Sequence, residues 1–140
     1  MAPRKALSKA PHTDVLLTVM GAPHESDLFT SVLRLTQALL ETGASVQVWT
    51  CGYANMMTQR GLGDSKPRNL AAWSVDYPSP ATLVRGLLDR FPGRLFWFGC
   101  RFCSDDRGAV DHLPEVALRA PSKFADHVGT ARKTLFIGVM

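Results

Sequence analysis

Two cysteines, Cys100 and Cys103, follow directly on the apolar run RLFWFG at residues 94–99. A thiol attacks sulfur as its thiolate, and cations or the positive end of a helix favour that form. Arg101 and Arg107 stand close by, and residues 104–107 read as a first helical turn. The sequence therefore predicts a stabilised thiolate at Cys100, with Asp105 and Asp106 opposing it and Cys103 two residues beyond Arg101 as its companion. Such a cysteine suits attack on a disulfide or the holding of a persulfide. The plainer alternative is that both are small core hydrophobes, because free cysteine is among the most buried residue types. Cys51 ends another strand-like run with no basic neighbour in sequence and reads as buried. If the fold brings those two strand ends together, Cys51 lies near Cys100.

Other chemistries find less support. A structural zinc ion needs four ligands, and one Cys-x-x-Cys supplies two. Cys51, His112 or His127 would have to complete the set, so no metal is expected. The loop GAPHES at residues 21–26 has a single glycine and lacks a dinucleotide fingerprint, and no cofactor is expected. Ser26 at a helix start could still meet a small anion, with His24 as the one titratable base in that loop. His112 and His127 lie in polar helical stretches and read as surface residues. Trp49, Trp73 and Trp97 sit in strand-like runs and read as core. A thioredoxin-like reductase also uses Cys-x-x-Cys, but there the motif follows an early strand, whereas here it comes after about two thirds of the chain.

The elements that must position these residues alternate. Residues 14–20, DVLLTVM, form an apolar run suited to a strand buried on both faces. Over 27–41, Leu28, Val32, Leu35 and Leu39 recur at helical spacing, widened by Phe29, Leu33 and Leu40, with Ser26 as a cap and Gly43 as a stop. Residues 45–50 return as a second strand, which makes a βαβ unit with parallel neighbouring strands. Residues 51–69 carry several glycines and no sustained period, so they read as a long loop or lid with a short helix over 53–59. Residues 70–75 are a weak strand candidate. Ser79-Pro80 opens a helix whose Leu83, Val84, Leu87, Leu88 and Phe91 face the core. After the strand at 94–99, short helices are predicted over 114–118 and 122–128, and a last strand over 134–139. The fold class is α/β: a three-layer α/β/α, Rossmann-like sandwich around a mostly parallel sheet of about five strands.

The chain has 140 residues, 46% hydrophobic and 20% charged, which suits one globular domain. Its net charge is +4, but residues 1–13 hold Arg4, Lys5 and Lys9 without an acid, leaving 13 basic against 12 acidic side chains beyond them. Residues 1–13 read as a disordered basic tail and 14–140 as the domain. That near-neutral domain shows no basic recognition module, so no nucleic-acid partner is expected. No run approaches the ~18 apolar residues of a membrane span, and three cysteines suit a reducing compartment, so the expected location is cytoplasmic without membrane association.

The order strand, Cys100-x-x-Cys103, three residues, Arg107-Gly108 resembles the DsrE family of sulfur-relay proteins, over residues 14–140. The resemblance implies that Cys100 accepts sulfane sulfur as a persulfide, and it matches Cys103 to the second cysteine of a subset of relatives. It also implies donor and acceptor proteins or small persulfides as partners, and a homo-oligomer, trimer or hexamer. The leading expectation is a sulfurtransferase-like carrier in which Arg101, Arg107 and the helix start stabilise the Cys100 anion. A non-catalytic module binding a small ligand or a partner, and a thiol-disulfide reductase needing both cysteines, are the alternatives.

Overall fold

The computed structural model describes residues 9–23, 27–64 and 76–138, and among them five strands make one sheet. The strands are β1 (Thr13–Met20), β2 (Val46–Cys51), β3 (Leu95–Cys100), β4 (Ala117–Arg119) and β5 (Ala131–Ile137). They lie in the order β4-β3-β2-β1-β5, and each adjacent pair is parallel. All five carboxyl ends therefore share one edge of the sheet, where α/β proteins assemble their sites.

The first face is aliphatic. Val15, Leu17 and Val19 of β1 and Val46 and Val48 of β2 pack under α1 (Leu28–Glu41) and α2 (Pro80–Arg90). Helix α1 buries Leu28, Phe29, Val32, Thr36 and Leu40, with Leu33, Leu35 and Leu39 at the margin. Its end is a Schellman turn: Gly43, at φ +98°, donates to the Leu40 carbonyl and Ala44 to that of Leu39. Helix α2 starts as the sequence predicts, with Ser79 Oγ accepting the Thr82 amide at 3.2 Å and Pro80 in the first turn. It buries Ala81, Val84 and Leu88, whereas Leu83, expected in the core, is 36% exposed.

The second face is built from other materials. Leu16, Trp49, Phe98 and Cys100 form its centre, against Phe124 of α4 (Phe124–Thr130) and Cys103 of α3 (Arg101–Asp106). Helices thus lie on both sides, and the three-layer α/β/α sandwich stands. The outermost strand β5 leaves Leu135 and Phe136 exposed.

Several local expectations change. Residues 114–118 do not form a helix; 117–119 pair with the outer edge of β3, Phe98 opposite Ala117, and Val116 and Ala117 are buried there. The pairing satisfies backbone groups that β3 would otherwise leave open. The short helix expected over 53–59 is present as a 3-10 helix, Gly52–Thr58, and a second at Arg60–Leu62 shortens the expected loop further. The helix predicted over 122–128 begins as a 3-10 turn, Pro121–Lys123, and continues as α4. Strand β5 begins three residues before its predicted start. The strand candidate at 70–75, and with it Trp73, lies outside the described residues.

Candidate functional site

The β2-β3 register pairs Thr50 with Gly99, so the next residue of each strand, Cys51 and Cys100, comes to the same carboxyl edge. Alternation puts both side chains on the second face with Trp49 and Phe98. Cys103 lies in the first turn of α3 and packs into the same cluster. The conditional expectation that Cys51 meets Cys100 is thus realised. All three are free thiols. Trp49 Nε1 donates to Cys51 Sγ at 3.3 Å, and the Cys100 and Cys103 thiols lie close enough to influence its ionisation.

The electrostatics of Cys100 differ from the sequence expectation. Cys100 occupies the N-cap position of α3 without a side-chain capping hydrogen bond, and the nearby Cys103 amide favours the anion. Burial outweighs that contact: the side chain is 3% exposed, and its thiol is pushed up to about 11, with Cys103 and Cys51 adding to the rise. Burial also pushes the Cys51 thiol up, against the lowering effect of the hydrogen bond from Trp49. Cys51 and Cys103 are half-buried and reachable from solvent.

Neither arginine repairs this. Arg101 directs its guanidinium to the Leu118 carbonyl at 3.3 Å. Arg107 lies over the Tyr53 ring, 4.6 Å from its centroid, and pairs with Asp106 at 3.4 Å. Among the described residues no hydrogen bond joins either guanidinium to Cys100. Both guanidinium groups thus have partners other than the predicted sulfur, Arg107 serving the Gly52–Thr58 helix and Arg101 the Leu118 carbonyl. His24 and Ser26 lie outside the described residues. The N-cap position of α1 falls to Asp27, which makes no side-chain capping bond.

Two histidines read as surface residues are interior. His127 is fully buried; its Nδ1 meets Gln47 Oε1 at 2.8 Å, and Arg119 Nε donates to its Nε2 at 3.3 Å. The ring packs edge-on against Trp49 and Phe98, and burial, helped by Arg119, pushes its pKa down to about 4. His127 lies in the short helix α4, packed against the sheet, whereas His112 lies in no helix and pairs instead with Gln59 in an isolated antiparallel bridge.

His112 is 9% exposed and bridges Thr58 Oγ1 at 2.7 Å and Ser104 Oγ at 3.0 Å. It fastens the Gly52–Thr58 helix to α3 and so holds the helix that carries Cys103. Burial lowers its pKa too. Close packing continues beneath the thiols: a Cβ built on Gly99 would stand 2.7 Å from Asn55 Oδ1 and 2.9 Å from Leu118 Cδ2.

Sequence reasoning missed Trp49 as a contact of Cys51, and Ser104, Thr58 and His112 as the fastening of α3. The signal for Cys51 was available, since both cysteines end strand-like runs. The histidine partners are far apart in sequence and carry no local signature. Among the described residues no group of three or more His, Cys, Asp or Glu side chains is placed to hold a metal, and no helix is long and apolar enough to cross a membrane.

No family model matches the chain, and no curated protein sequence is significantly similar to it. Solved structures do match, and with the crystal structure of the ychN protein from E. coli the chain shares its fold, at a TM-score of 0.71 and 20% identity, over 89% of this chain and 98% of that one.

Proposed function

We propose that this chain is a sulfur-relay protein that carries sulfane sulfur as a persulfide on Cys100 and passes it to an acceptor. The observation that carries the reading is the meeting of three free thiols at one strand edge, with the sulfur of Cys100 at a helix start. The spacing from Cys100 to Arg107-Gly108, with its resemblance to the DsrE family, and the fold shared with the ychN protein support it.

A thiolate attacks the outer sulfur of a donor persulfide, the donor leaves as its own thiolate, and the sulfane sulfur stays on the protein. Cys103, half-buried beside Cys100, is the thiol a donor reaches, and from there the sulfur moves inward to Cys100 by the same exchange. There the Cys103 amide faces the anion, and burial shields the persulfide from water. Arg107, over Tyr53, borders the approach. Donor and acceptor are proteins or small persulfides. Association with a second copy fits the exposed Phe136 and Leu135 on β5.

The contact among the three thiols also favours a second reading, a thiol-disulfide reductase. Intact mass measurement after incubation with a small persulfide separates the two. Relay predicts a reducible gain of one sulfur that peptide mapping places on Cys100 in the wild type, that stays on Cys103 in Cys100→Ser, and that forms far more slowly in Cys103→Ser. A loss of two hydrogens that needs both cysteines supports the reductase, and an unchanged mass removes both.

A further inference from the structure

Cys51 is the thiol that neither the Cys-x-x-Cys spacing nor the relay reading uses, yet its sulfur is the best furnished with partners. Trp49 Nε1 donates to it at 3.3 Å, and the Cys103 and Cys100 thiols lie close enough to influence its ionisation. It projects from the rigid end of β2 in the centre of the sheet, and Cys103 faces it from the first turn of α3. Cys100, in contrast, is 3% exposed, and burial pushes its thiol up to about 11.

We propose that Cys51 and Cys103 are a redox pair that closes into a disulfide under a low-molecular-weight disulfide such as oxidised glutathione, leaving Cys100 as a thiol. In the first step the Cys103 thiolate attacks the oxidant, one S–S bond breaks, and a mixed disulfide and one free small thiolate result. In the second, the Cys51 thiolate attacks the Cys103 sulfur, the second small thiolate leaves, and both protein protons pass to solvent. Two electrons move from the two cysteines to the oxidant.

Two features choose this pair over Cys100 with Cys103. Reach selects the first thiol, since an oxidant the size of glutathione meets the half-buried Cys103 and Cys51 but not the interior Cys100. Hydrogen bonding selects the second, since Trp49 Nε1 donates to the Cys51 sulfur and partly offsets the rise that burial imposes on its thiol. The closed disulfide ties the β2 end to α3 directly over Cys100. The oxidised protein is thereby closed to reagents that would otherwise reach Cys100 past Cys103.

The chain carries its own means of testing this, because Arg101 lies between the two cysteines of the motif and Arg60 and Arg107 bound the others. Full-length protein is treated with oxidised glutathione, alkylated while folded and again after unfolding, and digested with trypsin. The expected product joins the peptide of residues 35–60 to that of 102–107, with the 95–101 peptide alkylated at Cys100. In Cys51→Ala the expected product is glutathione retained on Cys103. A link between 95–101 and 102–107 in the wild type overturns the proposal, and so does glutathione held on Cys103 with Cys51 present. None of these outcomes involves a persulfide, so failure of the relay reading leaves the test standing.

Discussion

The two faces of the sheet are made from the same five strands but hold together by different means. On the first, aliphatic side chains from β1 and β2 meet amphipathic helices, and the stabilising term is apolar area removed from water. On the second, Trp49, Phe98, His127, Gln47 and the cysteines meet short helices, and much of the packing is directional. A non-directional core tolerates exchange of one hydrophobe for another of similar volume. A directional one depends on particular atoms and on their state of protonation, and that is the face that carries the thiols.

Truncation on the first face is the most costly way to break the contrast. Leu17→Ala, at a fully buried position, is expected to lower unfolding free energy by about 2–5 kcal/mol, read from the urea midpoint. A change that keeps bulk should show the opposite ranking. Gln47→Leu on the second face leaves His127 Nδ1 and Thr13 Oγ1 without their partner, at about 1–3 kcal/mol, whereas Leu17→Met on the first costs less than about 1.5 kcal/mol. Equal losses would mean that the second face is held by packing alone.

Acid sharpens the comparison further. The folded pKa of His127 is lowered to about 4 from 6.5, so folding favours the neutral ring, and the unfolded chain takes up the proton first. Its contribution is full above pH 6.5 and is lost as pH falls from 6.5 through about 4, with His112 acting in the same direction. The urea midpoint of the wild type should fall across that window, and His127→Gln should flatten the fall. A smaller effect is expected between the first-face helices, where Arg90 meets Glu41 at 3.2 Å in solvent. Glu41→Gln should change stability by about 0.2–1 kcal/mol, and less in high salt.

What the sequence disclosed follows the same division. β1, α1, β2, α2 and β3 were legible because apolar period and helix-end residues such as Gly43 and Ser79 are local signals. β4 was not, since three residues earn their strand conformation only from the open edge of β3. The Cys100–Cys103 element was legible as a strand end feeding a helix, but its burial was not, because exposure depends on what α3, α4 and Cys51 place around it. Arg107 was expected beside the sulfur on the strength of sequence distance; the partner that claimed it, Tyr53, belongs to a segment with no strong period of its own. His127 was read as a surface residue because its helix is polar, and Gln47, its partner, is 80 positions away.

Gly99, next to the thiols, bears on how a survey of substitutions in this protein should be interpreted. Any side chain there collides with Asn55, which is itself fully buried, and with Leu118. In a mutational scan scored by the amount of folded protein, position 99 should be among the least tolerant, whereas Cys103 should accept small replacements. Scored by sulfur uptake, both positions should fail. Only the difference between the two scores would separate a residue that reacts from one that simply leaves room.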